Sequence, residues 1–287
     1  MNAYEKITQT IIERLDKGII PWQRPWHGTA DGAINYVTRR PYSLLNQMLL
    51  GRPGEWLTWK QIQERGGHVK KGSEGGIVVY SDQFCPKELR GKVDENGESE
   101  EKLIRLLKYY YVYNIADVEG IESKIVDMPA SNLQPNEVAE QIIADYVARE
   151  GLKFYNEQPS NRAFYSLGHD SVTVPMLSQY QHVEEYYSTC FHEFTHSTMT
   201  ASRCDRMAEN KGAHFGNDPY AREELVAEIG AAFLINHCQM ESEKAFRNSV
   251  AYLQGWRNAI AKDSKLIVAA AAKAERAANY ILNIKID

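Results

Sequence analysis

Over residues 3–17 the apolar positions Tyr4, Ile7, Ile11, Ile12 and Leu15 fall on one face of a helix, and Gly18 ends the run. The segment 21–26, with Pro21 and Pro25 around Trp22 and Trp26, reads as extended turn, because proline restricts both itself and the residue before it. Short helices are predicted over 43–50 and 58–65, with Trp56 and Trp59 at the start of the latter. Residues 72–76 read as a turn, 77–80 and 109–114 as strands, and the acidic stretch 94–101 as an exposed loop. Residues 127–135 carry two prolines and no periodicity, so a linker is expected there. Beyond it come a helix over 137–149 and short strands over 163–165 and 171–174 about a Gly168-His169-Asp170 turn. Long helices follow over 183–200, 221–238, 243–262 and 264–282. The pattern predicts an α+β chain of two domains: 1–128, small and mixed, and 129–287, mostly helical with a short sheet.

Composition sharpens this picture in three ways. The 287 residues are 43% apolar and 25% charged, a globular balance long enough for two cores. The longest near-apolar run, 266–272, is far short of the roughly 20 residues that span a bilayer, and Met-Asn-Ala-Tyr-Glu-Lys does not open like a signal peptide. A cytoplasmic protein with no membrane partner is therefore expected. Cys85, Cys190, Cys204 and Cys238 are scattered, which indicates neither a disulfide framework nor a thiolate zinc site. The net charge of −5 conceals an asymmetry: residues 1–92 hold 14 Lys and Arg against 9 Asp and Glu, so the front is basic and the remainder acidic.

The sharpest chemistry is His192-Glu193-Phe194-Thr195-His196, inside the helix predicted from residue 183. Residues i and i+4 share a face, so both imidazoles can bind one zinc ion while Glu193 serves the water beside it as general base. Glu224 and Glu228 form a second i, i+4 pair at the start of the next long helix. One carboxylate can complete the ligand set while the other orients a ligating histidine. Small apolar residues follow, Ile229-Gly230-Ala231-Ala232, as a helix packed close to the histidine helix requires. Upstream, Asp170 to Val174 reads as an edge strand on which an extended peptide could dock. Tyr220, His214 and Tyr187 are candidates to stabilise an oxyanion, whereas His237-Cys238 and the alanine-rich tail read as packing.

This order of strand, His-Glu-x-x-His helix and glutamate helix resembles the zincin metallopeptidases with a glutamate ligand. The resemblance implies His192 and His196 as zinc ligands, Glu193 as catalytic base, and Glu224 as third ligand with Glu228 as second shell or alternative. Manganese could occupy the same two nitrogens and carboxylate.

The first 80 residues hold four of the five tryptophans, interleaved with Arg24, Arg39, Arg40, Lys60, Lys70 and Lys71. Bases stack on aromatic faces while cations follow phosphates. Trp56 and Trp59 read equally as core or as stacking surface, and Arg39-Arg40 and Lys70-Lys71 read as phosphate contacts. The segments 18–26, 35–46, 56–61 and 67–72, among them Gly18-Ile-Ile-Pro-Trp22-Gln-Arg-Pro-Trp26 and Trp56-Leu-Thr58-Trp59-Lys60-Gln61, resemble the N-terminal domain of ArdC-type antirestriction proteins. That resemblance implies a single-stranded DNA-binding module in front of a metallopeptidase-like domain, carried by mobile elements to protect incoming DNA. It places Trp22, Arg24, Trp26, Arg39, Arg40, Tyr42, Asn46, Trp59, Lys60, Lys70 and Lys71 on the DNA side. Arg40-Pro41 departs from the family pattern, where a small residue is expected. The implied partners are single-stranded DNA and a protein substrate, a host restriction component being the natural choice. Two other readings are a DNA-occupying or DNA-mimicking protein with a structural or vestigial metal site, and a metalloenzyme that cuts nucleic acid.

Overall fold

A computed structural model describes residues 2–22, 32–84, 104–125, 135–207, 218–240, 245 and 253–285. The architecture is α+β in two domains, and among the described residues one large apolar cluster takes side chains from both halves, while two smaller clusters belong to the front half. Helix α1 (Ala3–Asp16) opens with a reciprocal cap in which Asn2 Oδ1 accepts from the Glu5 amide and Glu5 Oε2 from the Asn2 amide, both at 2.9 Å. Its buried stripe, Ile7, Ile11 and Leu15, matches the helical period.

The front sheet contains β1 (Ala33–Asn35), β2 (Gly54–Thr58), β4 (Gly76–Phe84) and β5 (Ile104–Asn114), in the order β1-β2-β5-β4. Strands β1 and β2 run parallel and the other pairs antiparallel. Between them lie α2 (Leu44–Leu50), α3 (Trp59–Gln63) and β3 (His68–Val69), which pairs with β6 (Val118–Glu119). Trp56 was expected at a helix start and instead lies buried in the middle of β2. The helix begins only after Thr58, whose side chain caps the Gln61 amide. The expected loop 94–101 lies outside the described residues, as do positions 127–134 of the expected linker 127–135, on which the predicted domain boundary falls.

The back half starts with α4 (Pro135–Glu150), buried through Ala139, Ile143 and Tyr146. A small sheet follows, with β7 (Lys153–Tyr155), β8 (Phe164–Ser166) and β9 (Ser171–Thr173) in the order β7-β9-β8. The strand at 171–173 is therefore the centre of this sheet, not its edge. It pairs in parallel with β7 and antiparallel with β8, so the free edges belong to those two. Arg203 fastens the turn before β9 to the helical layer through Asp170, at 2.8 and 2.9 Å, and through Glu150 at 3.0 Å. Helix α5 (Val183–Ser197) packs on β8 and β9, and α6 (Asp218–His237) lies between α5 and α8 (Leu266–Ile281). The predicted helix over 243–262 is described as α7 (Leu253–Lys262) and at Ala245.

The two halves meet along α1 and α2. Trp22 and Trp256 pack edge to face at 5.4 Å, Asp16 pairs with Arg257 at 2.6 Å, and Thr8 donates to the Ser264 carbonyl at 3.1 Å. Ser43 gives α2 no side-chain cap. Glu275 from α8 replaces it, accepting from the Leu44 amide at 3.0 Å.

Candidate metal centre

Helix α5 turns His192 and His196 to one side, one helical turn apart, and their Nε2 atoms converge to 3.2 Å. Glu224, from the first turns of α6, straddles the pair: Oε1 lies 3.3 Å from His196 Nε2 and Oε2 lies 3.5 Å from His192 Nε2. An ion with bonds of about 2.05 Å to tetrahedral donors requires those donors to stand about 3.3 Å apart. The two nitrogens stand at about that spacing, and each has a different oxygen of Glu224 at about the same distance, so the three side chains can share one divalent ion. Among the described residues these are the three His, Cys, Asp or Glu side chains that could share one ion.

The helices approach closely because Gly230 faces Thr195: a Cβ at position 230 would fall 2.7 Å from Thr195 Oγ1. Thr195 is fully buried, and its hydroxyl donates to the Phe191 carbonyl at 2.7 Å. The small residues after Glu228 thus let α6 carry its carboxylates up to the histidines.

Behind the donor face lie two more carboxylates. Glu228 Oε2 stands 3.8 Å from His192 Nδ1, on the far side of that ring from Glu224. Glu223 Oε1 stands 3.6 Å from His196 Nδ1. Glu223 is buried and held by Arg206, whose Nη2 and Nε donate to its two oxygens at 2.6 and 3.3 Å. Arg206 also donates to Thr198 Oγ1 at 2.8 Å and to the Thr195 carbonyl at 3.0 Å, which ties the loop after α5 to both helices. Neither Glu223 nor Arg206 stands out in the sequence: Glu223 adjoins the predicted ligand, and Arg206 lies in a loop without a motif. The only available signal was an arginine in a loop that must return between two acid-bearing helices.

Charge in the pocket follows from this packing. Burial alone would strip the proton from His196, but Glu223, Glu224 and Glu193 outweigh it and raise the imidazole to about 10. His192 is raised for the same reason, through Glu224 and Glu193, against burial and the neighbouring imidazole. Burial would raise Glu223, yet His196 and Arg206 hold it at about 2, and the two histidines hold Glu224 lower still. The carboxylates around the pair thus favour positive charge at this spot, which a divalent ion can supply in place of protons. Glu193 sits on α5 between the histidines and is 7% exposed.

The oxyanion candidates resolve unevenly. Tyr187 is buried and donates to Glu140 at 2.8 Å, so its hydroxyl is already committed. His214 and the Tyr220 side chain lie outside the described residues. His237 and Cys238 stay apart from the metal donors, and Cys190, Cys204 and Cys238 are buried free thiols.

The expected DNA-side residues also separate. Trp22 is 2% exposed inside the shared core. Asn46 is buried, its amide exchanging hydrogen bonds with the Val79 main chain at 2.7 and 2.9 Å, which clamps α2 to the edge of β4. Arg39 pairs with the buried Glu55, which also accepts from Ser123 and the Lys124 amide. The ring of Trp22 and the amide of Asn46 are thereby committed to the interior, whereas Arg39 is the counter-charge of a buried acid with a side chain that is itself 39% exposed. Tyr42 is half-buried with its hydroxyl bonded to Asn35. Arg40, Trp59, Lys60, Lys70 and Lys71 remain at the surface, and Arg24 and Trp26 lie outside the described residues.

Comparison with known proteins agrees over both halves. Residues 1–113 match the family model for the N-terminal domain of anti-restriction factor ArdC, and residues 139–273 match the one for a zincin-like metallopeptidase. Two DNA primase TraC proteins of Escherichia coli are 29% and 28% identical over 97% of this chain. The chain spans only 27% and 20% of their lengths. The uncharacterised protein y4eC of Sinorhizobium fredii is 24% identical over 98% of this chain and 91% of its own. The solved metal-free structure of the antirestriction ArdC protein from plasmid R388 superposes with a TM-score of 0.74 at 28% identity, covering all of both chains. Its Mn(II)-bound structure gives 0.72 at 27% identity, over 99% of this chain and 98% of that one. With one model matched in each half and a whole-length structural relative, the chain is similar throughout to the ArdC-type antirestriction proteins, with a match to the ArdC N-terminal domain followed by one to a zincin-like metallopeptidase domain.

Proposed function

We propose that this is an antirestriction protein of a mobile element which binds single-stranded DNA with its front half and hydrolyses a peptide bond with its back half. The observation that carries the reading is the convergence of His192, His196 and Glu224, whose nearest donor atoms lie 3.2 to 3.5 Å apart. Those three would hold the ion, zinc by donor chemistry, with manganese supported by the Mn(II)-bound relative. Such an ion supplies Lewis acidity, polarising a carbonyl and acidifying water.

The chain's own residues would do the rest. Glu193 would accept a proton from the attacking water and return it to the leaving amine. Glu228 and Glu223 would fix the two imidazoles from behind, so that each presents Nε2 forward. The free edge of β8, next to α5, could pair with an extended substrate in place of the central strand first expected there. The substrate would be a protein of the host restriction machinery, and the site of action the cytoplasm. No helix among the described residues is long and apolar enough to cross a membrane.

The test is Glu193→Gln in the full chain, scored by protection of incoming DNA from restriction and by metal content. Loss of protection with stoichiometric metal retained is the expected result. Full protection by this variant would overturn the peptidase mechanism in favour of DNA occupancy with a structural ion. Strand cleavage by the purified protein would redirect the site to nucleic acid.

A further inference from the structure

On β5 the rings of Tyr109, Tyr111 and Tyr113 recur at every second residue and so share one face of the front sheet. That face is covered unevenly. At one end Leu107 and Tyr109 pack against the core cluster that contains Ile7 and Ile11 of α1. At the other end Tyr111 is 47% exposed, and Trp59, at the head of α3, is 50% exposed. Tyr113 lies between them, with its ring 5.9 Å from that of Trp59 in an edge-to-face contact. Sheet faces with large rings are ordinarily buried, and an exposed row of them marks a binding surface.

The surroundings indicate which partner. The turn Lys70-Lys71-Gly72 leads into Gly75, whose backbone lies directly against the Tyr113 ring and the base of the Tyr111 side chain: a Cβ there would meet the ring at 3.3 Å and Tyr111 Cβ at 3.4 Å. Lys70, Lys71 and Lys60 are all exposed. Lys70 is anchored through the Ala116 carbonyl at 2.9 Å, and Lys60 has only a loose 3.8 Å contact with Glu64. Flat apolar rings bordered by lysines suit a ligand with alternating aromatic and anionic parts.

We propose that Tyr111, Tyr113 and Trp59 form the stacking platform on which this chain holds single-stranded nucleic acid, with Lys60, Lys70 and Lys71 on its phosphates. The inference rests on the reading that the front half binds single strands, and adds the place and the residues. Duplex DNA keeps its bases stacked internally and cannot offer them to such a platform.

Oligothymidine binding to the full chain tests it, by fluorescence anisotropy across a salt series. Trp59→Ala and Tyr111→Ala, both at exposed rings, should each weaken binding about tenfold and leave the salt slope unchanged. A Lys70→Ala, Lys71→Ala double variant should lower the slope by about two. Tyr80→Ala is the control: Tyr80 is 43% exposed on the opposite face of the same sheet, beside Tyr110, and its loss should leave binding intact. Normal binding by the first two variants, or a loss in the Tyr80 variant alone, would overturn the platform while leaving single-strand binding itself in place. No oligothymidine binding by the unaltered protein would sink both.

Discussion

The metal centre and the aromatic face carry their chemistry in opposite ways. At the metal centre the functional groups lie between two helices, so every charge must be matched. Glu224 faces the histidines, Glu223 is neutralised by Arg206, and the imidazoles are pulled toward their charged forms. On the front sheet Tyr111, Trp59, Lys60, Lys70 and Lys71 are exposed, and the ion pair of Lys60 with Glu64 is a loose one at 3.8 Å. A buried site must be held in place by residues that never touch the substrate, whereas an exposed one needs only the register of a strand. Damage should therefore spread at the first and stay local at the second.

Arg206→Ala tests this most severely. It leaves Glu223 buried beside His196 without its cation, which should cost about 3–5 kcal/mol of stability. Urea denaturation would measure that, and metal affinity should fall with it. Oligothymidine affinity should change less than twofold under conditions where the variant is folded. If both activities fell together in the folded variant, the contrast between the two sites would fail.

Gly230→Ala should have a smaller effect of the same kind. The added methyl meets the β-branched Thr195, fully buried and unable to step aside, so about 1–3 kcal/mol is expected. The helices would separate at the level of the donor face, and a metal titration monitored by thermal stabilisation should show weaker binding.

The smallest change probes the seam between the halves. Glu275→Ala removes the back half's cap from α2, at about 1 kcal/mol. Because α2 also clamps β4 through Asn46, hydrogen exchange at α2 and β4 should rise while α5 and α6 keep their protection. Acceleration confined to α8 would mean that the cap does not join the halves.

Much of the helical layer was readable because apolar spacing and helix ends are local. The observed α1, α4, α5 and α8 lie within a few residues of the predicted bounds. The histidine pair and the two glutamates were readable for the same reason, since each pair belongs to one helix turn. Strand β2 was not, because Trp56 and Trp59 are three apart and mimic a helix start. The error over β9 has another cause: an edge strand and a central one look alike when only three residues long, and the neighbours that distinguish them come from elsewhere in the chain. Trp22 looked like Trp59 for the same reason, yet it lies in the core, where Trp256, more than 200 residues away, packs against it.

What the amino-acid order determined alone is which residues share a helical face: His192 with His196, Glu224 with Glu228, and Ile7 with Ile11. Periodicity is a property of the backbone and needs no partner. What only the tertiary structure decided is which faces meet and which stay bare. It set Glu224 against both imidazoles, Glu223 against Arg206, and left Tyr111 and Trp59 open to water. Those outcomes depend on distances between segments far apart in the chain, and such distances follow from the packing of the whole core.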